Sequence, residues 1–260
     1  MSYSKTLTLT ITPEQIDHYG HVNNAEYFKI YEQARKEGWA IAQFNWSTSE
    51  ILRGVVQASV NLRSPLLLGT SEGDSGFIGI RQAVSLVEAY RKDTDIPIFL
   101  NLDHGKSFEY LKMAVDAGYD AVHFDGSDLS LEENIKQTQE IVKYAREKGI
   151  AVVEGEVGKI LGGSSIHKEA IVIDSDQYTD ADEAIRFAKE TGVDSLATMF
   201  GNVHGVFKEM PTLDFERLRK TRRRVEGRHI EVTAFIQGDP IIGFQASEGP
   251  FDLPIPVVGA

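Results

Sequence analysis

The feature that most limits what this chain can fold into is a repeat: a short apolar run, an amphipathic stretch, a glycine, then the next apolar run. From about Trp39 onward the runs fall at residues 40–44, 66–70, 96–102, 121–124, 151–153 and 196–200, with a weaker one at 230–236. Gly38, Gly118, Gly149 and Gly192 stand at four similar junctions. Glycine fits there because the residue just past a helix end adopts a left-handed conformation that crowds any Cβ. Between the runs the period is helical: Leu131, Ile135, Ile141, Val142 and Ala145 share one face of a helix predicted over 131–148. Ser130 with Glu133 predicts a capping box for it, and Thr179 with Asp182 a weaker one further on.

Strands and helices alternating every roughly 25–45 residues imply right-handed βαβ units and a parallel sheet. The continuous apolar runs imply strands covered on both faces. An α/β fold follows, either a parallel (β/α)₈ TIM barrel or a doubly wound sheet. Seven strands are legible and an eighth is not, so a barrel would be incomplete at strand 8. The ends break the repeat. Residues 6–12 alternate as an edge or hairpin strand does, and the tail carries Pro240, Pro250, Pro254 and Pro256 without a helical period. The expected organisation is an N-terminal extension over 1–26, a barrel over 27–238 and an irregular tail over 239–260 that covers the open seam near Pro254–Val258.

The charge balance narrows the partners. With 27 Lys+Arg against 39 Asp+Glu, the net charge is −12. Non-specific binding to nucleic acid or to an anionic membrane needs clustered Lys and Arg, so neither is expected. Zero cysteines exclude disulfides, thiolate metal sites and a cysteine nucleophile. No apolar run approaches the ~20 residues of a membrane span, and Met1–Lys5 opens no signal-type stretch. A cytoplasmic protein is the expectation.

Barrel active sites lie at the C-terminal ends of the strands. Here those ends read Asn45, Ser71-Glu72-Gly73, Asn101-Leu102-Asp103-His104-Gly105, Asp125-Gly126-Ser127, Glu154-Gly155-Glu156 and Gly201-Asn202-Val203-His204-Gly205. A lone Asp at such a place most often caps the next helix. Several carboxylates and two imidazoles on one rim are different, because crowded like charges need something cationic to hold. Without cysteine, His with Asp or Glu is the ligand set for a divalent metal. The neighbouring glycines admit a phosphate close to the backbone.

The order of these motifs resembles the class II, metal-dependent ketose-bisphosphate aldolases, and is close to fructose-bisphosphate aldolase. The resemblance rests on Asn101–Gly105, Phe124–Ser127 with Glu132–Asn134, Glu154–Gly158 and Gly201–Gly205, supported by Ala40–Asn45, Ser64-Pro65 with Ser71–Gly73, and Leu213–Glu216. It covers about residues 27–225 and implies the barrel rather than the doubly wound sheet. It implies Asp103 as the acid/base on the substrate hydroxyl, and His104 and His204 as ligands of a catalytic zinc. Asp125 and Glu156 would form a second or alternative metal position, and Asn45, Ser71 and Gly205 would hold the phosphorylated sugar. A homodimer or homotetramer would be the expected assembly.

The chain also departs from that family. Where the family has His-Gly-Gly-Ser-Gly after strand seven, this chain reads Val232–Asp239, with Phe235 at the third zinc ligand's position. His229 lies upstream of that position, and the family's eighth strand is absent. Two imidazoles hold zinc more weakly than three, so weak turnover is expected. The segment Asp17–Asn24, Tyr27 and Glu32–Arg35 resembles the opening of hot-dog acyl-CoA thioesterases instead. Nothing downstream supplies that fold's antiparallel sheet. A composite chain, a thioesterase and a barrel without catalysis are the competing readings.

Overall fold

The computed structural model describes residues 43–150, 152–158, 178–201, 213–225 and 231–233. Seven strands are present there: β1 (Gln43–Asn45), β2 (Leu66–Thr70), β3 (Ile98–Gly105), β4 (Ala121–Phe124), β5 (Val152–Val157), β6 (Ser195–Thr198) and β7 (Glu231–Thr233). The helices between them are α1 (Ser49–Leu62), α2 (Glu72–Ile78), α3 (Ile80–Asp93), α4 (Phe108–Ala117), α5 (Leu131–Glu147), α6 (Ala181–Thr191) and α7 (Phe215–Val225). The strands lie in chain order and every neighbouring pair is parallel. A doubly wound sheet reverses its order at a switch point; this one never does. The sheet is therefore the wall of a (β/α) barrel, and among the described residues no eighth strand closes it.

Period-two alternation gives each strand an outer and an inner face. Leu66, Leu68, Leu100, Leu102, Val122, Phe124, Val153 and Leu196 face outward and join one buried cluster with Leu52, Val87, Leu111, Ile135, Ile141 and Phe187 of the helices. The inner face carries Gln43, Asn45, Asn101, Asp103, His123, Glu154, Glu156 and Ser195, alongside the apolar Leu67, Phe99, Ala121, Val152 and Ala197. Barrel interiors are ordinarily filled with Val, Ile and Leu. This one gives part of that volume to groups that can do chemistry.

Opposite the rim, one device occurs twice. Asp120, just before β4, accepts from the Leu100 amide at 2.7 Å and pairs with Arg91 of α3. Asp194, just before β6, accepts from the Val153 amide at 2.8 Å and pairs with Arg146 of α5 at 2.5 Å. Each aspartate ties a strand to its neighbour and to the helix behind it. Both follow a helix-ending glycine, Gly118 at φ 105° and Gly192 at φ 74°.

The caps correct two expectations. Ser130 accepts from the Glu133 amide at 3.3 Å, but the return half of the box is missing because the Glu133 carboxylate accepts from Gln137 at 2.9 Å. Asp180, not Thr179, caps α6, accepting from the Asp182 and Glu183 amides. A carboxylate at a helix N-terminus also gains from the dipole. That frees Thr179 to donate to the Val157 carbonyl and accept from the Met199 amide, both at 2.8 Å, so it joins β5 to β6.

Gly155 shows how tightly the site's scaffold is packed. It separates the inward residues Glu154 and Glu156, and a Cβ on it would stand 2.7 Å from the buried Phe187 ring. Gly155→Ala should cost about 1–3 kcal/mol through overpacking, read as a lowered urea midpoint. An unchanged midpoint would mean that α6 yields freely.

Candidate active site at the barrel rim

Asp103 and His104 are consecutive, so regular alternation would send them to opposite faces. Two local features bring both to the rim. The β3–β4 register shifts between Leu102 and Gly105, and His104 takes φ 115°, a conformation that favours glycine. Such backbone costs about 1–3 kcal/mol and persists where the surroundings hold it.

The neighbours that hold His104 are carboxylates. Its Nδ1 lies 3.3 Å from Asp125 Oδ2 and 3.4 Å from Glu156 Oε2, and its Nε2 lies 3.7 Å from Asp103 Oδ1. His123, on the inner face of β4, sits beside it with ring centroids 4.0 Å apart. This second imidazole is fully buried. Its Nε2 is 3.3 Å from Glu156 Oε2, and its Nδ1 is 3.8 Å from Asp103 Oδ1 and 3.9 Å from Glu154 Oε2. Ser195 donates to the other oxygen of Glu154 at 3.1 Å. Lys106 reaches in from the solvent side, 2.5 Å from Asp125 Oδ2.

Each charge shifts its neighbours. Burial pushes Asp103 up, but the imidazoles of His123 and His104 and the amide of Asn45 outweigh it and hold the carboxyl well below its ordinary range. Asp125 is likewise held low, with burial opposed by His104, Lys106 and Ser127. Burial drives His123 down, yet Glu154, Asp103 and Glu156 raise it well above an ordinary histidine. Four carboxylates thus face two imidazoles and one half-exposed lysine among the described residues.

Comparison with known proteins settles the lineage. The sequence profile of the family described as fructose-bisphosphate aldolase class-II matches residues 25–237. The chain belongs to this aldolase family. A fructose-bisphosphate aldolase of Staphylococcus aureus is 36% identical over 190 residues, 72% of this chain and 65% of that protein. The chain thus spans about two thirds of that relative's length. One from Geobacillus stearothermophilus is 36% identical over 197 residues, 75% of this chain and 67% of that protein. Among solved structures, the YdjI aldolase of Escherichia coli K12 superposes with a TM-score of 0.67 at 30% identity, covering 81% of this chain and 71% of that one.

Within this aldolase-family chain the expected residues fare differently. Asp103, His104, Asp125 and Glu156 come together. Asn45 joins them, its Nδ2 donating to Asp103 Oδ2 at 2.5 Å. Ser71 caps α2 in a complete box: its hydroxyl accepts from the Asp74 amide at 3.1 Å and donates to Asp74 Oδ2 at 2.7 Å. His204, Gly205, His229, Phe235, the thioesterase-like segment of 1–26 and the tail of 239–260 lie outside the described residues. Asn134, quoted within a motif, proves structural: its Nδ2 donates to the Glu156 carbonyl at 2.8 Å and locks α5 to β5. The sequence reading missed His123 and Lys106, and quoted Gln43 and Asn101 only within motifs, without a role.

The donor set fits a divalent metal. Tetrahedral zinc with bonds of about 2.0–2.1 Å spaces its ligand atoms about 3.3–3.4 Å apart. The His104–Asp125 and His104–Glu156 distances are 3.3 and 3.4 Å. The excess of carboxylates asks for positive charge as well.

Proposed function

We propose that this chain is a class II aldolase that cleaves or forms a ketose bisphosphate such as fructose 1,6-bisphosphate, with zinc as its metal. The observation that carries the reading is the β3 bulge, which sets the carboxylate of Asp103 and the imidazole of His104 side by side at the barrel rim. Family membership supports the same chemistry.

Cleavage begins when Asp103 accepts the proton of the substrate hydroxyl at the carbon becoming the aldehyde. The neighbouring carbon–carbon bond breaks, the aldehyde half leaves, and the electron pair stays on the ketose half as an enediolate. His104, with His204, would hold the catalytic metal, and Asp125 with Glu156 an alternative position beside it. A divalent cation there supplies Lewis acidity that draws off the charge developing on the ketose half. Asn45 would touch the sugar, and Ser71 and Gly205 its phosphate. Binding through the Ser71 hydroxyl requires it to leave Asp74. Assembly as a homodimer or homotetramer, with residues 27–238 as the catalytic unit, completes the reading.

Phe235 at the third imidazole's position keeps the expected rate low. The test is a coupled cleavage assay with added zinc, using Asp103→Ala as the blank. Cleavage above that blank supports the reading; none above it, with zinc bound, points to a barrel without catalysis. Zinc calorimetry tests the metal separately: His104→Ala should weaken binding at least tenfold. Unchanged affinity would remove His104 from the metal.

A further inference from the structure

We propose that Gln43 and Asn101 are positioning residues that act through Asn45 to fix Oδ2 of Asp103, and with it the orientation of the carboxylate that takes the substrate proton. The proposal rests on the aldol reading above and adds two residues to it.

Three side-chain amides form a chain across the barrel wall. Asn101 Nδ2 donates to Gln43 Oε1 at 2.8 Å, Gln43 Nε2 donates to Asn45 Oδ1 at 3.2 Å, and Asn45 Nδ2 donates to Asp103 Oδ2 at 2.5 Å. Asn101 and Asp103 belong to β3, while Gln43 and Asn45 belong to β1, so the chain must cross β2. It crosses over Gly69, which is in register with Asn45 on one side and Asn101 on the other. A Cβ on Gly69 would stand 2.0 Å from Asn45 Oδ1 and 2.9 Å from Gln43 Nε2. A glycine inside a strand commonly marks such a close approach.

The chain runs one way only. An ionised carboxylate accepts and cannot donate, so Asn45 must turn its NH₂ toward Asp103. Its oxygen then faces Gln43, which must present its own NH₂ and offer its oxygen to Asn101. Reversing any link sets two oxygens or two NH₂ groups face to face. Asn101 Oδ1, where the chain starts, is buried and accepts nothing among the described residues. At the other end Asp103 Oδ1 stands beyond hydrogen-bonding reach of His104 and His123, at 3.7 and 3.8 Å. One carboxylate oxygen is held by the amide chain, and the other is buried beside the two imidazoles.

The test uses the full chain and two readouts. Side-chain ¹⁵N spectra should show the Asn45 NH₂ with one downfield, slowly exchanging proton, a signature lost in Asp103→Ala. Gln43→Met keeps length and removes both polar atoms. Gly69→Ala keeps every polar group and fills the gap. Both should erase the signature and speed exchange on the order of tenfold. In the cleavage assay kcat should fall on the order of tenfold or more, with KM within about twofold. If Gly69→Ala does not fold, Asn101→Leu replaces it. A wild-type Asn45 signature in Gln43→Met overturns the proposal, whatever the activity. A signature present in the wild-type protein and lost in the variants as expected, in a wild-type protein that never cleaves substrate, upholds the chain and counts against the aldol reading instead.

Discussion

Asp103→Asn should lower aldol cleavage by roughly 10²–10⁴-fold, the span that a positioned acid or base ordinarily contributes. Asparagine keeps the shape, and its carbonyl can still accept from Asn45, but the charge facing His123 is lost, so the thermal midpoint should fall as well and the rate is compared on folded protein. What disappears is the capacity to take a proton. The environment of Asp103 defines the kind of base it is. Neighbouring imidazoles and the Asn45 amide hold it well below the ordinary carboxylate range against the effect of burial. It is therefore ionised at neutral pH and always ready to accept, but weak as a base, since catalytic bases work best with a pKa near the operating pH. The measurement is single-turnover cleavage with zinc present. A variant retaining more than half of the wild-type rate would take the proton-accepting role away from Asp103.

What could be read from the sequence follows from where each residue sits on its strand. Asp103, His104 and Asp125 stand at strand ends beside glycines, where the apolar pattern stops and polar groups become conspicuous. The parallel sheet was legible because each unit repeats the same apolar run and glycine, whereas the barrel was distinguished from a doubly wound sheet only by the family resemblance. His123 was hidden inside the run Ala121–Phe124, where one polar residue reads as an interruption. The signal was parity: His123 and Asp125 are two apart and share the inner face, as do Asn101 with Asp103, Gln43 with Asn45, and Glu154 with Glu156. The β3 bulge had no signal of this kind, because a positive φ at a histidine is imposed by its surroundings rather than by its own preference. Thr179 was misread for a related reason. Adjacent Thr179 and Asp180 are both good caps, and only the tertiary contacts with β5 and β6 decide between them.

His123→Phe should destabilise the metal-free protein by about 3–5 kcal/mol at pH 7, the loss expected when one member of a buried ion cluster is removed. Phenylalanine fills nearly the same volume, so the cost is electrostatic rather than a cavity. The imidazole lies within 3.9 Å of Asp103, Glu154 and Glu156 and is fully buried. Without it three carboxylates face one another inside the barrel. The pH dependence identifies the mechanism. His123 is raised well above its ordinary value, so its stabilisation is fully present below the unfolded value of about 6.5 and is lost as pH rises through the folded one. The deficit of His123→Phe should therefore be largest at neutral and mildly acidic pH and shrink in alkaline solution. Urea midpoints of both proteins from pH 6 to 10 measure it. A deficit under about 1 kcal/mol at pH 7, or one independent of pH, would mean that His123 is a packed neutral ring and that the carboxylates are balanced by another group.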